Sequence, residues 1–310
     1  MGTSLSVPQN RPAPGFELVP RARRHWRQLR RDGLSKTLRA DLRRSRTALR
    51  RAAWLATHNY APNAVPVYVV GVQRSGTEML LFTLAECPAA EIHNESDDSR
   101  AFSNWALRDD GVVRSIVESS RSRWVIFKPL CDSHRIEHLM TGLGTPSPGR
   151  SVWIYRSWEG RIRSVLALWP DNNRRVLSEI AAGVDRWEAG GLTPETVELI
   201  RSFDYGDMSQ ASGAALLWYA RNSLFFDLGF DARDDVALVS YERFLDDPER
   251  SMRSVCDSIG IPFEHRMIER IGRRPPATAG SLDIDPRIRS VCDDLERRLD
   301  AELGARLGTR

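Results

Sequence analysis

The chain has 310 residues, of which 41% are hydrophobic, so it can bury the core of one large domain or two small ones. No apolar run approaches the roughly 18 residues of a membrane-spanning helix, so none is expected. The formal net charge is +4, but residues 21–51 alone hold 13 basic and two acidic side chains, so the rest of the chain is net acidic.

The N-terminal part of the chain is predicted to be separate from the main domain. Residues 1–20 are rich in proline and predict a disordered lead that lacks the features of a secretory signal, which favours a cytoplasmic location. Residues 21–60 predict a basic helical arm, because apolar residues recur there at helical spacing. Residues 61–310 are predicted to form a single α/β domain.

Two roles for the basic arm follow from its pattern. It can pack its apolar stripe on its own domain, or residues 21–51 can bind an anionic membrane surface, which would make the protein membrane-peripheral. Nucleic acid is a less favoured partner, because binding would need aromatic platforms and the arm offers only Trp26 and Trp54. The sequence predicts no particular oligomeric state.

Strand-like and helix-like segments alternate along the remainder of the chain. Short β-branched runs predict buried strands, and longer segments with apolar residues at helical spacing predict helices. Their alternation predicts an α/β fold in which helices flank both faces of a parallel sheet. The predicted strands are Val67–Val72, Trp124–Phe127, Ser151–Tyr155 and Val236–Ser240, and the predicted helices are Thr77–Glu86, His134–Met140, Trp158–Leu168, Ala214–Leu228 and Pro248–Ile259.

Cysteine and histidine spacing gives no sign of a metal site. The four cysteines are widely separated, and no pair has the spacing of metal ligands. Reduced, structural thiols in a cytosolic protein are therefore expected. These cysteines are Cys87, Cys131, Cys256 and Cys292.

Residues 71–77, Gly-Val-Gln-Arg-Ser-Gly-Thr, lie between the first predicted strand and the first predicted helix. Glycine lets the backbone turn several N–H groups toward one anion, and the N-terminus of the following helix adds a positive dipole end. Arg74, Ser75 and Thr77 supply side-chain donors. This combination predicts a phosphate-binding loop, and the sheet is accordingly expected to be of the P-loop, nucleoside-triphosphatase-like type.

The loop departs from the triphosphatase motif at one position. Gly71 and Gly76 have the spacing of G-x-x-x-x-G-K-[ST], but Thr77 stands where that motif has its lysine. The loop is therefore predicted to hold a phosphate without the lysine that reaches a γ-phosphate, which counts against an ATPase. A P-loop small-molecule or nucleotide kinase stays open as the alternative, and a non-enzymatic scaffold carrying the basic arm is a second one.

A second candidate phosphate site follows the third predicted strand. Arg156 leaves the carboxyl end of that strand, and Ser164 lies eight residues on, about two helical turns into the next helix. In an open α/β sheet, ligands collect at the carboxyl ends of the strands. Arg156 is therefore predicted to face the same crevice as the loop.

Taken together, these two motifs resemble the P-loop sulfotransferases, and a bacterial member of that family is expected. The resemblance implies transfer of a sulfuryl group from 3′-phosphoadenosine-5′-phosphosulfate (PAPS) to a hydroxyl of an acceptor. It also implies that the loop binds the 5′-phosphosulfate and that the second pair binds the 3′-phosphate. The residues are Arg74, Ser75, Gly76 and Thr77 for the former, and Arg156 and Ser164 for the latter.

A third block of sequence adds to the resemblance, which covers roughly residues 66–272. Residues 239–248, Val-Ser-Tyr-Glu-Arg-Phe-Leu-Asp-Asp-Pro, are similar to the late strand and helix of the family. The resemblance places Tyr241 near the nucleotide, in contact with the first loop. Arg273 and Arg274 are candidates for a basic lid over the 3′-phosphate, or are ordinary surface arginines.

Among subfamilies, the spacing is closest to the tyrosylprotein-type sulfotransferases. Pro88 and Glu95 fall at the distances of the helix-ending proline and the catalytic glutamate of that group, and Lys128 matches a lysine at the end of its second strand. The tyrosyl acceptor is not carried over. Glu78 departs from the pattern, because it places an acid beside the anion loop.

The resemblance and the residue types suggest roles in the reaction. Glu95 is the first candidate for the base that takes the acceptor proton, and its neighbours Asp97 and Asp98 would raise its pKa if they were close. Arg74 and Lys128 are candidates for stabilising the charge of the transition state. No metal is required. The alternative bases are His93, Asp132 and His134.

The acceptor itself is not identified by the sequence and is expected to be a hydroxyl-bearing small molecule, sugar, lipid or peptide. Residues 96–122 and 170–210 are predicted to build its pocket. Four tryptophans are candidates to line it or to fill the core. They are Trp158, Trp169, Trp187 and Trp218.

Overall fold

A computed structural model describes residues 34–95, 99–272 and 280–308, with side chains from Ser45 onward. The chain separates into two compact units, Met1–Arg50 and Arg51–Arg310. In the first unit, the described residues belong to helix α1, Leu34–Thr57, within the predicted basic arm. The predicted lead and the first part of the arm lie outside the described residues. Among the residues that are described, no helix is long and apolar enough to cross a membrane.

The second unit is built on a parallel sheet of five strands in the order β2-β5-β1-β6-β7. Each neighbouring pair in this sheet runs in the same direction, as the alternation of strands and helices predicts. The strands are β1 Val65–Val70, β2 Ala90–Asn94, β5 Trp124–Lys128, β6 Arg150–Tyr155 and β7 Val236–Ser240.

The three inner strands are almost fully buried because helices cover both faces of the sheet. Alternate residues of β1 point to opposite sides, so Tyr68 and Val70 belong to one hydrophobic core and Val67 and Val69 to the other. This burial on both sides is the reason that the inner strands are continuous apolar runs rather than alternating ones. The predicted α/β class, with helices on both faces, is confirmed.

The helices divide unequally between the two faces. The Val67 face is covered by α2 Thr77–Leu84, α10 Tyr241–Asp246 and α11 Pro248–Ile259, the last ending at Gly260 with a left-handed φ of 74° as predicted. The Tyr68 face is covered by α3 Asp110–Ser119, α4 Ile136–Thr141, α5 Trp158–Leu166, α6 Asn172–Ala181, α7 Pro194–Arg201, α8 Gln210–Asn222, α9 Leu224–Asp227 and α12 Pro286–Gly308.

Several elements differ from the sequence prediction. The predicted helix Ala214–Leu228 is two helices, because α8 stops at Asn222 and α9 begins at Leu224. The predicted helix His134–Met140 begins later, at Ile136, after a 3₁₀ segment Leu130–Arg135. The sheet edge β2 and the two-residue strands of a hairpin, β3 Phe102–Ser103 and β4 Ala106–Leu107, are additions.

Candidate functional site

The loop Gly71–Thr77 joins β1 to α2 in a conformation that two glycines make possible. Gly71 has a φ of 145°, and a Cβ atom there would lie 2.1 Å from the carbonyl oxygen of Ile154 in β6. Gly76 has a φ of 95°, and a Cβ atom there would lie 2.4 Å from Cδ2 of Tyr241. The loop is therefore pressed against the neighbouring strand and against the Tyr241 ring, which the sequence placed beside it.

Hydrogen-bond donors of this loop lack acceptors among the described residues. Ser75 is fully buried, and its Oγ atom has no hydrogen-bond partner there. α2 begins at Thr77 without a side-chain cap, so its first backbone N–H groups have no intrahelical acceptor. A buried hydroxyl and the positive end of a helix both favour an anion at this position, so the residues fit a bound phosphate or phosphosulfate.

The second predicted site meets the loop through Arg74. The Nε atom of Arg74 donates to Oγ of Ser164 at 3.2 Å. Arg156 donates to the backbone oxygen of Arg74 at 3.4 Å, and its guanidinium lies 4.6 Å from the centroid of the Tyr241 ring. The two motifs, more than 80 residues apart, therefore form one cationic surface at the carboxyl ends of β1 and β6.

Glu242 holds the second site in place. Its carboxylate accepts hydrogen bonds from the backbone N–H and the hydroxyl of Ser157, at 3.1 and 2.8 Å, and its Oε1 lies 3.7 Å from Nε of Arg156. Trp218 adds a hydrogen bond of 2.8 Å from its indole to the backbone oxygen of Arg156. These contacts fix the turn from which the Arg156 side chain leaves β6.

Glu95 and Lys128 lie together at the carboxyl ends of β2 and β5. The Nζ atom of Lys128 lies 3.3 Å from Oε1 of Glu95 and 3.5 Å from Oε2 of Glu78. The backbone N–H of Leu130 donates to the other oxygen of Glu95 at 3.0 Å. Burial raises the pKa of Glu95 above its usual range, and the attraction of Lys128 offsets only part of that effect.

Glu78, which the sequence left without a reason, is half exposed and pairs with Lys128 across the mouth of the site. It also accepts a hydrogen bond of 3.4 Å from the amide of Asn94. A carboxylate in the first turn of α2 interacts favourably with the positive end of that helix. Glu78 thus has a structural partner of opposite charge beside the anion loop.

The alternative bases are placed elsewhere. His93 is buried against Phe127 and pairs with Glu91 at 3.1 Å. Asp132 is buried and accepts from the backbone N–H of Leu107 at 2.9 Å. His134 packs against two glycines, Gly190 and Gly191, and burial lowers its pKa. None of these three candidates lines the cleft that contains the loop.

A cleft of about 810 Å³ extends from the loop past Lys128 to a group of aromatic side chains. Its wall includes predicted residues of the loop together with Glu95, Lys128, Arg156 and Tyr241. The far end is lined by Trp105, Trp169, Trp187, Asn104, Asn172 and Glu188, and all of these except Trp169 belong to the two segments predicted to build an acceptor pocket.

Trp105 is the aromatic residue that the sequence reasoning did not select. It lies with Asn104 at the tip of the β3–β4 hairpin, and both residues have positive φ, 70° and 51°. This is the backbone conformation of a tight two-residue hairpin turn, and it is uncommon for tryptophan. The turn leaves the Trp105 side chain 55% exposed in the cleft, and Trp169 is 49% exposed there.

The two remaining tryptophans of the prediction belong to the core. Trp158 is 3% exposed and donates to Asp293 at 2.9 Å, while Trp218 is fully buried beneath the Arg156 turn. Only Trp169 and Trp187 of the four predicted tryptophans therefore line the cleft.

Arg161 is a second residue that the sequence did not single out, although it lies within the Arg156–Ser164 stretch. It is 1% exposed, lines the cleft and donates to the backbone oxygen of Gln73 in the loop at 3.2 Å. In a chain with 43 arginines, nothing in the residue type distinguishes this one.

Some predicted residues lie outside the described part of the chain. These are Asp97 and Asp98, which would bear on the pKa of Glu95, and the proposed lid residues Arg273 and Arg274. Within the described residues, no group of three or more histidine, cysteine, aspartate or glutamate side chains is arranged to hold a metal ion.

The chain matches no protein-family model and no curated protein sequence. Solved structures of sulfotransferases are similar to it over most of its length. The sulfotransferase from Alicyclobacillus acidocaldarius is 16% identical, with a TM-score of 0.45, and the alignment covers 80% of this chain and 96% of that one.

Two further structures are similar at a comparable level. The sulfotransferase domain from the curacin biosynthetic pathway is 14% identical, with a TM-score of 0.42, and covers 78% of this chain and 98% of its own. Mouse sulfotransferase SULT7A1, complexed with PAP, is 14% identical, with a TM-score of 0.39 and coverage of 79% and 88%.

Proposed function

We propose that this protein is a sulfotransferase that moves a sulfuryl group from PAPS to a hydroxyl of an acceptor. The proposal rests on the direct hydrogen bonds between the loop and the pair Arg156–Ser164. Arg74 of the loop bonds to Ser164 and accepts from Arg156, so one cationic surface can bind a donor with two separate phosphates. A donor with a single phosphate chain would use the loop alone.

The donor end of the cleft is lined by Gln73, Arg74, Gly76, Thr77, Arg156 and Tyr241, and Ser75 and Ser164 adjoin Arg74 without lining it. There, the Ser75 hydroxyl and the first N–H groups of α2 would hold the 5′-phosphosulfate, together with the side chains of Arg74 and Thr77. Arg156 and Ser164 would hold the 3′-phosphate. When bound, the donor supplies the sulfuryl group and a phosphate leaving group.

Glu95 is suited to take the proton of the acceptor hydroxyl. Its carboxylate is buried with a raised pKa, so its proton affinity is closer to that of a general base than an exposed glutamate would have. In the transfer, the acceptor oxygen bonds to sulfur, the bond from sulfur to the bridging phosphate oxygen breaks, and the proton passes to Glu95 and then to solvent.

Lys128 is suited to neutralise charge that builds on the transferred group. Its ammonium lies 3.3 Å from Glu95 and is nearly buried, and fixed cations in a desolvated site stabilise developing anions strongly. In the free protein it is shared between Glu95 and Glu78, so both carboxylates hold it at the mouth of the donor end.

The acceptor end of the cleft comprises Trp105, Trp169, Trp187, Asn104 and Glu188. Its exposed indoles offer flat apolar faces, and the carboxylate and amide offer hydrogen bonds, so a ring-bearing hydroxyl compound is the kind of acceptor that it suits.

The test is the thermal stabilisation of the full chain by adenosine 3′,5′-bisphosphate, compared with ATP and Mg²⁺. Under the proposal, the bisphosphate raises the unfolding midpoint in a concentration-dependent way, because it binds only the folded state. ATP with Mg²⁺ should have a smaller effect, since Thr77 stands where a triphosphatase loop has lysine. A clear shift with ATP and Mg²⁺ and none with the bisphosphate would overturn the proposal in favour of a P-loop kinase.

A further inference from the structure

Arg161 is a buried cation that connects three segments around the cleft. Its Nε atom donates to the backbone oxygen of Gln73 at 3.2 Å, and its terminal nitrogens donate to the oxygen of Ala214 at 2.9 Å and to Oδ1 of Asn173 at 3.1 Å. These are neutral acceptors. Arg161 therefore ties the loop to α8 and α6 without meeting a negative charge.

No carboxylate forms an ion pair with Arg161 within the parts of the chain that the structure describes. Its three bonds to described residues use three of its five N–H groups, which leaves two donors. Burial and the nearby charge of Arg74 lower its pKa to about 9, so the guanidinium is still charged at neutral pH. A buried charge without a counter-charge is costly, and an anionic ligand would remove that cost.

Asn173 adds a second set of donors beside Arg161. Its orientation is fixed, because Arg161 can only donate and so requires the amide oxygen rather than the NH₂ group. Asn173 is 1% exposed, and its Nδ2 atom has no hydrogen-bond partner among the described residues. Because Asn173 also lines the cleft, an acceptor oxygen from a ligand could satisfy it.

Arg221 is a second buried arginine whose three bonds also go to neutral acceptors, so it can be compared with Arg161. It is 3% exposed and donates to the backbone oxygens of Glu188 and Gly190 and to Ser133. Burial lowers the pKa of Arg221 to about 10, and the nearby charge of Glu188 offsets part of that effect. Arg161 has the like charge of Arg74 nearby instead, and it lines the cleft whereas Arg221 does not.

We propose that Arg161 and Asn173 form an oxyanion subsite beside the phosphate loop that takes a sulfate- or phosphate-like group. The existence of the subsite is argued from Arg161 and Asn173 alone, and only the source of its oxyanion rests on the proposed function. The oxyanion can come from the donor, as its sulfuryl or phosphate group, or from an anionic substituent on the acceptor.

The experiment compares Asn173→Asp with Asn172→Asp in the full chain. Asn173→Asp puts a carboxylate of the same shape against Arg161. This carboxylate neutralises the guanidinium and repels an incoming anion, so it should weaken anion binding at the subsite. Asn172→Asp adds the same charge one residue away, where the side chain accepts from Arg175 at 3.0 Å instead. The full chain is titrated with sodium sulfate, in the absence and in the presence of saturating adenosine 3′,5′-bisphosphate, and the unfolding midpoint is followed.

If the oxyanion is the sulfuryl group or an acceptor substituent, sulfate raises the midpoint further in the presence of bisphosphate. Asn173→Asp should then weaken the apparent sulfate affinity by about tenfold or more, whereas Asn172→Asp changes it by less than about threefold. If the oxyanion is a donor phosphate, sulfate adds nothing to bisphosphate, and the bisphosphate affinity itself falls in Asn173→Asp alone. Either pattern supports the subsite.

Equal responses of Asn173→Asp and Asn172→Asp to both anions would overturn the subsite. Asn173→Ala removes the same donors without adding charge, so it should show the same loss to a lesser degree if Asn173→Asp does not fold. The two proposals fail separately. If bisphosphate does not shift the unfolding midpoint of the wild type, the proposed donor is rejected. If sulfate stabilises the wild type but not Asn173→Asp, the subsite is still supported.

Discussion

The two ends of the cleft are built in opposite ways. The donor end uses consecutive residues of one loop and one strand–helix junction, with the backbone at Gly71 and Gly76 in positive φ and in close contact with its neighbours. The acceptor end uses single side chains from distant segments, and two of its tryptophans are about half exposed.

The two ends therefore suit two different kinds of ligand recognition. A phosphate is bound mainly by backbone N–H groups and fixed cations, so the donor end depends on backbone geometry that tolerates little change. A ring is bound by apolar faces, so the acceptor end depends on side chains that can be replaced singly without disturbing the fold. Variants at the two ends should therefore separate donor binding from acceptor binding, and variants between them should affect the chemical step.

The largest effect is expected for Glu95→Gln, which lies between the two ends. Removing the base should lower kcat by about 10²- to 10⁴-fold, with little change in donor affinity. The matched control is Glu91→Gln on β2, the strand that precedes Glu95, whose carboxylate pairs with His93 and Ser120 away from the cleft. The control should cost stability rather than kcat, and equal loss of kcat in both variants would remove Glu95 from the reaction.

The pH dependence of Glu95 has a defined sign. Because burial raises the pKa of Glu95, kcat should rise with pH through a midpoint above the usual range of glutamate. A folded-state pKa above the unfolded value also means that protonated Glu95 favours the folded state. The free energy of unfolding should therefore fall as pH rises from the unfolded pKa through the raised folded pKa. Glu95→Gln should therefore unfold at a higher temperature than wild type at neutral pH, with the gap closing in acid.

The next largest effect is expected for Gly76→Ala in the loop. The new Cβ atom would lie 2.4 Å from Cδ2 of Tyr241, so the ring or the loop must move, and donor affinity should fall by at least about tenfold. Gly183→Ala is the control, because Gly183 has a similar φ of 79° and open space around it. That variant should lower the free energy of unfolding by only the backbone strain of about 1–2 kcal/mol. It should bind bisphosphate with wild-type affinity.

A smaller effect is expected for Arg156→Ala, measured by bisphosphate titration. Loss of one charge-assisted contact should weaken donor binding by roughly ten- to a hundredfold while acceptor KM stays constant. Arg163→Ala, seven residues along and bonded to the backbone oxygen of Gly280, should leave donor affinity within about threefold of wild type. Equal weakening in both variants would mean that general positive charge, and not the Arg156 position, binds the donor.

The smallest effect is expected for Trp105→Ala at the acceptor end. Loss of one stacking face should raise KM for a phenolic test acceptor such as 4-nitrophenol by about two- to tenfold, with bisphosphate affinity unchanged. Phe82→Ala is the control, since Phe82 is 61% exposed on α2 and does not line the cleft. A loss of bisphosphate affinity in Trp105→Ala would assign this indole to the donor and would break the division of the cleft into two ends.

Much of the fold could be predicted because the inner strands are buried on both faces and so are continuous apolar runs. The edge strand β2 was missed for the opposite reason. It carries Glu91, His93 and Asn94, whose polar side chains find partners in the folded chain, and an edge strand needs no apolar face on both sides. The break between α8 and α9 at Ser223 was likewise missed, because Ser223 keeps a helical φ of −58° and ψ of −29° and apolar residues resume directly after it at Leu224.

The candidate phosphate loop and the pair Arg156–Ser164 could be predicted from the sequence, because each depends on residues close together in the chain. Three features became visible in the folded chain alone: Arg161 is a buried cation, Asn173 turns its oxygen toward it, and Glu78 has Lys128 as a partner. Those facts depend on segments up to 88 residues apart meeting in space. A local motif fixes which groups are offered to a ligand, but burial and counter-charge are set by the residues that pack around them, which no local pattern contains.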